Sequence, residues 1–129
     1  MKPPVETVRI NSLGRDQLIR LKRQTGIEHW NILCRWALCA SLREKSCPPP
    51  TQSGTENGVE MTWKIFSGDW STVFAAMIAV RAQQDGFDLE AEGLATCLRL
   101  HIHRGLGYLC SGKEKNPIES FMARWTPVI

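Results

Sequence analysis

The chain has 129 residues, 43% of them hydrophobic, with five tryptophans, five cysteines and a net charge of +3. That is enough for one domain with a modest core and too few residues for two ordinary ones. The apolar content excludes a disordered chain, and the odd cysteine count without a C-x-x-C pair argues against a disulfide scaffold and for a reducing cytoplasm.

The charge is unevenly placed. Residues 1–45 hold nine Lys/Arg against four Asp/Glu, and residues 46–129 hold seven against nine. A basic N-terminal third is the electrostatic footprint expected of a protein that meets a polyanion. The N-terminus lacks the apolar core of a signal peptide, and the apolar run around Val73–Val80 is too short to span a bilayer.

Met1–Pro4 reads as an arm. Val5–Ile10 alternates, with Val8 and Ile10 on one side and Thr7, Arg9 and then Asn11 on the other, as in a half-buried strand. A strand this short needs a partner, and a second copy of itself from another subunit could supply one. Ser12 is the expected N-cap of a helix over Leu13–Thr25, with Asp16 in its first turn, Leu18, Leu21 and Thr25 inward, and Gly26 as the stop. Arg20, Lys22 and Arg23 avoid that apolar face.

A second helix is predicted over Glu28–Arg43. Trp30, Leu33, Ala37 and Ala40 form one stripe and Ile32, Trp36 and Cys39 another, an apolar surface wide enough to suggest a subunit interface. Pro48–Pro50 end it, and residues 46–58 form a polar Pro/Gly/Ser loop. Val59–Phe66 alternates again, predicting an extended segment with Val59, Met61, Trp63 and Ile65 on one face. A helix follows over Trp70–Gln84, capped by Ser67 or Asp69, with Val73, Phe74, Met77 and Val80 inward and Gly86 as its stop. Asp88 is expected to cap another over Leu89–Arg104, whose early Glu90 and Glu92 and late Arg99 and Arg104 complement the helix dipole. Gly105 and Gly107 interrupt or close it. After Pro117, Phe121 and Trp125 fit one more short helix. The fold class is therefore mainly α in one domain: a basic strand–helix–helix start, a loop and a helical half.

Enzymatic chemistry finds little support. His101 and His103 share a face only in a strand, whereas a helix aligns Cys97 with His101. Either pair gives two ligands where a structural zinc takes four, so packed or exposed histidines account for them, with no metal and no cofactor expected. Asp85, Asp88, Glu90 and Glu92 are explained by turns and caps. R-G-L-G-Y lacks a P-loop's lysine and spacing, and no nucleophile elbow occurs. Cys47, beside three prolines, is the most exposed-looking thiol, and a plain loop thiol explains it. Cys34 and Cys39 read as small core hydrophobes.

Strand, helix, tight turn and apolar helix is the ribbon-helix-helix order, in which two chains pair their strands in the major groove. Thr7, Arg9 and Asn11 would face the bases, and arginine and asparagine can read guanine and adenine. The Gly26–His29 turn would bring helix N-terminal amides to a phosphate, against the opposing charge of Glu28. Arg20, Lys22 and Arg23 would add contacts indifferent to sequence.

The composite of T-G-I-x-x-W-N-I-L-C-R-W-A at 25–37 and H-R-G-L-G-Y-L at 103–109, within matching stretches over about 2–44 and 59–112, resembles the DndE family. These are small subunits of the bacterial DNA phosphorothioation machinery, which replaces a non-bridging phosphate oxygen of DNA with sulfur. The resemblance implies a mainly helical fold with a ribbon-helix-helix-like start. It also implies a non-catalytic companion of a cysteine desulfurase, a sulfurtransferase resembling PAPS reductases and an SMC-like ATPase. A homotetramer that binds duplex DNA, nicked DNA in particular, is the implied state. The family has no motif-defined catalytic residues, and its basic surface maps onto Arg15, Arg20, Lys22 and Arg23. Trp30 and Trp36, from the wide apolar stripes, and Gly105, Gly107 and Tyr108, from glycines that permit close approach, are the candidate interface residues. In a tetramer the ribbon could be buried, leaving Arg9 away from bases and the binding mostly electrostatic. Two alternatives remain: a scaffold subunit of the same complex without DNA binding of its own, and a ribbon-helix-helix transcriptional regulator.

Overall fold

The computed structural model describes residues 3–51 and 56–111. The elements run β1 (Thr7–Ile10), α1 (Ser12–Thr25), α2 (Trp30–Leu42), β2 (Val59–Thr62), α3 (Trp63–Ser67), a 3₁₀ turn (Gly68–Trp70), α4 (Ser71–Asp85) and α5 (Ala91–Cys110). The architecture is mainly helical, with one small antiparallel sheet. The predicted helix at Phe121 and Trp125 and part of the 46–58 loop lie outside the described residues.

β1 finds its partner within its own chain. It pairs antiparallel with β2, setting Val8 opposite Met61 and Arg9 opposite Glu60. Val8 and Ile10 point into the core and Arg9 outward, as the alternation requires. The other subunit's strand is not needed to satisfy β1. His103 of α5 reaches the end of β1, its Nε2 accepting the Asn11 backbone N–H at 3.1 Å.

α1 begins one residue earlier than expected. Asn11, not Ser12, is its N-cap, its side chain accepting the Gly14 N–H at 2.8 Å, and Asp16 falls beyond the first turn. Gly26 ends the helix as predicted, at φ +76°. α2 and α5 are the central pair and run antiparallel, with Ala37 against Gly105 and Ser41 against His101. An ideal Cβ on Gly105 would sit 1.7 Å from the Ala37 carbonyl oxygen, so only glycine allows this approach. That contact explains why α5 runs through Gly105 and Gly107 to Cys110 and is not closed by them.

Two other elements depart from the period expected. The extended run stops at Thr62, whose hydroxyl accepts the Ile65 N–H at 3.2 Å and starts α3. Trp63 and Phe66 then share one helical face in the core, their rings 5.5 Å apart, while Ile65 turns outward. On α4, Phe74, Ala75, Ile78, Arg81 and Ala82 face inward, and Val73 and Val80 are half exposed or more. The inward stripe is rotated because a buried arginine occupies a position that reads as surface. Gly86, at φ +85°, closes α4 as expected.

Candidate nucleic-acid interface

Four of the five predicted DNA contacts lie on α1. Gly14, Leu18 and Leu21 are its buried face. At 100° per residue, Arg15, Arg20, Lys22 and Arg23 fall within about 160° of the opposite surface. All four are exposed, and none forms an ion pair among the described residues. Asp16 is the single acid in that arc of α1. Lys22 and Arg23 also lie in the last turn of the helix, where a cation is favoured by the dipole. That dipole term accounts for two of the four and leaves Arg15 and Arg20 unexplained.

Arg9 is placed apart from them, on β1. Its Nε donates to Glu60 at 3.3 Å across the sheet, and both side chains are more than half exposed. Such a pair contributes about 0–1 kcal/mol and reduces the local positive charge. In the turn between α1 and α2, Glu28 and His29 are exposed, and His29 is an N-cap without a side-chain cap bond. Arg35 is committed elsewhere: it donates to the carbonyls of Phe66 and Ile65 and holds the end of α3.

The candidate interface residues divide. Gly105 is buried against α2 of its own chain, so its close approach is already used. Nothing lies within 4 Å of a Cβ on Gly107. Tyr108 is half-buried beneath Arg104, whose guanidinium carbon stands 5.9 Å from the ring centre. Trp30 is half-buried, and its buried Nε1 has no hydrogen-bond partner among the described residues. Trp36 lines a groove of about 460 Å³ between α2 and α4, with Ile32, Cys39, Trp70, Val73 and Met77. Trp70 there is 61% exposed.

A buried polar network ties the helices together, and sequence patterns did not reveal it. His101 Nε2–H donates to Asp85 Oδ2 at 2.7 Å, and its Nδ1 lies 2.7 Å from Ser41 Oγ. Burial holds the His101 pKa below its ordinary value, so the ring is neutral and Nδ1 accepts the Ser41 hydroxyl proton. Arg81 Nε donates to the other oxygen of Asp85 at 3.0 Å. Arg81 and Arg104 also donate to the carbonyls of Leu42, Glu44, Ser46 and Ser41, fixing the chain where it leaves α2. Arg99 donates to Thr51. Arg99 and Arg104 are therefore mid-helix tethers and not dipole partners at a helix end. His103 is also neutral: its Nδ1–H donates to the Arg99 carbonyl at 2.6 Å, and burial lowers its pKa. Asp88 Oδ1 accepts the Glu90 N–H at 2.9 Å but does not cap α5, which begins at Ala91, two residues later than expected, with Glu90 at the cap position.

Of the cysteines, Cys47 alone is exposed and all five are free thiols. Burial pushes Cys34 up to about 12, which suits an inert core thiol. Among the described residues, no helix is long and apolar enough to cross a membrane.

These features define a small helical protein with a cationic helix on its surface and a polar network inside. The chain belongs to the DndE family: the family model, described as DNA sulphur modification protein DndE, matches residues 7–116. No curated protein matches the chain. Its place is thus in DNA sulphur modification.

Proposed function

We propose that the chain is a non-catalytic DNA-binding subunit of the DNA phosphorothioation complex. On this reading Arg15, Arg20, Lys22 and Arg23 contact the phosphates of a duplex. The observation that supports it is the exposed face of α1, with four cations and no ion-pair partner among the described residues. Contacts of this kind neutralise phosphate and release counterions, so they are indifferent to base sequence. Arg9, paired with Glu60, adds at most a rim contact. A nicked duplex bends at lower cost than an intact one, which gives a nick preference without base readout. The subunit works as a homotetramer alongside the sulfurtransferase and SMC-like ATPase.

Fluorescence anisotropy against intact and nicked duplexes over a range of salt tests this. Arg20→Ala, Lys22→Ala and Arg23→Ala together should weaken binding and leave the oligomeric state unchanged. Equal affinity for parent and triple variant would refute the assignment.

A second reading, a scaffold that joins the other subunits without touching DNA, draws on the apolar groove around Trp36 and Trp70. Absence of DNA binding at low salt would favour it. The transcriptional-regulator reading needs strands paired between chains, and the β1–β2 pairing within one chain gives it no support.

A further inference from the structure

The start of the cationic helix is fastened to α5 by a hydrogen bond whose acceptor is a nitrogen that titrates. Trp63 N–H donates to the Glu6 carbonyl at 3.0 Å, one step beyond the β1–β2 pairing. Glu6, Val8 and Ile10 therefore turn their backbone groups toward β2, and Thr7, Arg9 and Asn11 turn theirs away from it. On that outer edge His103 Nε2 of α5 accepts the Asn11 N–H at 3.1 Å.

The ring is fixed by its other contacts. Its Nδ1–H donates to the Arg99 carbonyl, one turn back on α5, at 2.6 Å, which sets the tautomer and leaves Nε2 as an acceptor. A Cβ on Gly14 would lie 3.2 Å from both Cδ2 and Nε2 of His103, so the first turn of α1 rests on the imidazole itself. Asn11 caps that same turn through the Gly14 N–H, and its carbonyl accepts the Arg15 N–H at 2.9 Å. We propose that His103 is a positioning residue for α1: a proton-sensitive latch that fixes the N-terminal end of the cationic helix while neutral and releases it when protonated.

A proton taken from solvent by Nε2 places an N–H where the acceptor lone pair was. Two donors then face each other across 3.1 Å, and the bond to Asn11 is lost. The bond from Nδ1 to the Arg99 carbonyl is unaffected, so the change acts on α1 and not on α5. Displacing Asn11 carries Arg15 with it, the first of the four cations. The ring is 8% exposed, yet it lines a cleft of about 690 Å³ with Asn11, Gln17, Thr51 and Glu56, through which water reaches it.

Two charged groups surround it. Arg99 lies on its own helix, and Glu56 lines the cleft from the chain ahead of β2. The α1 lining, Ser12, Leu13 and Gln17, carries no charge, and Arg9 of β1 turns outward to Glu60. Burial first, then the Arg99 charge, hold the His103 pKa below its ordinary value, against the raising effect of the Arg99 carbonyl. The latch is therefore closed at neutral pH. The stability it contributes is complete above the unfolded-state pKa, about 6.5, and is lost as pH falls through the lower folded value.

Nuclear magnetic resonance of the ¹⁵N-labelled full chain tests this without DNA. At neutral pH His103 should show the Nδ1–H tautomer and a nitrogen–nitrogen coupling across the bond to Asn11. On acidification the coupling should vanish, and the Asn11 amide should shift with the midpoint of the His103 ring. His101 titrates in the same direction, but its partners are Asp85 and Ser41, so its midpoint is not read at Asn11. In His103→Gln, whose amide does not titrate, that response of Asn11 should disappear. An Nε2–H tautomer, no coupling in the parent, or an Asn11 midpoint unchanged in His103→Gln would overturn the latch.

The consequence for DNA rests on the function proposed above. The affinity of His103→Gln for a duplex, relative to the parent, should rise several-fold from above the His103 midpoint to below it; the exposed His29 is common to both proteins and cancels. A ratio independent of pH would overturn the link between latch and binding. No binding by the parent at either pH would refute the DNA reading instead, and the coupling to Asn11 would still decide the latch.

Discussion

Gly105→Ala isolates the contact on which the central helix pair rests. The added Cβ would lie 1.7 Å from the Ala37 carbonyl oxygen, 2.3 Å from its carbon and 2.7 Å from its Cα. These are backbone atoms of α2, which no rotamer change can move. Relief requires α2 and α5 to separate by more than 1 Å, and a gap of about 0.5–1 Å already forfeits a quarter to a half of each dispersion contact along it. Overpacking of this kind costs about 1–3 kcal/mol or more, and the site belongs at the upper end because both partners are rigid. Alanine recovers about 1 kcal/mol of helix propensity, leaving a net loss of about 2 kcal/mol. Gly107→Ala is the matched control: same helix, two residues on, with nothing within 4 Å of its Cβ. It should stabilise the protein by up to about 1 kcal/mol through propensity alone. Urea unfolding followed by far-ultraviolet circular dichroism measures both. Equal midpoints for the two variants, or a Gly105→Ala variant as stable as the parent, would refute the reasoning.

Other consequences are equally open to measurement. Arg81→Met breaks the buried ion pair with Asp85 and removes a donor from the carbonyls of Leu42, Glu44 and Ser46; it should cost about 3–5 kcal/mol in urea unfolding, and a loss below about 1 kcal/mol would show the network to be dispensable. Gly26→Ala meets no steric obstacle, yet φ +76° is strained for any residue with a Cβ. Thermal unfolding should show a loss of about 1 kcal/mol there, and an unchanged midpoint would argue against the left-handed cap. Removing Arg20, Lys22 and Arg23 should lower the slope of log affinity against log salt by up to about 2.7, or about 0.9 for each lost phosphate contact. A weaker binder with the parent's slope would place those side chains away from phosphate.

The helices α1 and α2 were legible because local signals agreed. Leu18 and Leu21 repeat at helical spacing, Gly26 supplies the left-handed stop, and β1 alternates as a half-buried strand should. Where local signals competed, tertiary packing decided. Trp63 and Ile65 continue the alternation of Val59 and Met61 in sequence, but Thr62 caps a helix and Phe66 takes the core position. Gly105 carries the low propensity of a helix stop, yet it sits mid-helix because Ala37 demands the space. Arg81 reads as solvent-facing and is buried, since its acceptors come from Leu42, Glu44 and Ser46, 35 to 39 residues earlier. No spacing rule joins residues that far apart, so the network of Ser41, Asp85 and His101 was invisible, although the helical spacing that aligns Cys97 with His101 was not. The cations of α1 were legible as a cluster; that Arg9 is separated from them by its pairing with Glu60 required the β1–β2 register.

The place of α5 in the chain sets terms for its synthesis. β1, α1, α2 and α4 all turn apolar or polar partners toward a helix whose 20 residues are translated after theirs. Until His103 arrives, the Asn11 backbone N–H lacks its acceptor; until Arg104 arrives, the end of α2 lacks one of its tethers. At about 5–20 residues per second, α5 takes about 1–4 s to make, in addition to the time for the loop and α4. During that interval the inward faces of Ile10, Leu38 and Ile78 have no α5 to close over them. A ribosome that stalls before Ala91 therefore leaves a nascent chain with uncovered core surface, a substrate for chaperones and proteases and not a smaller working module.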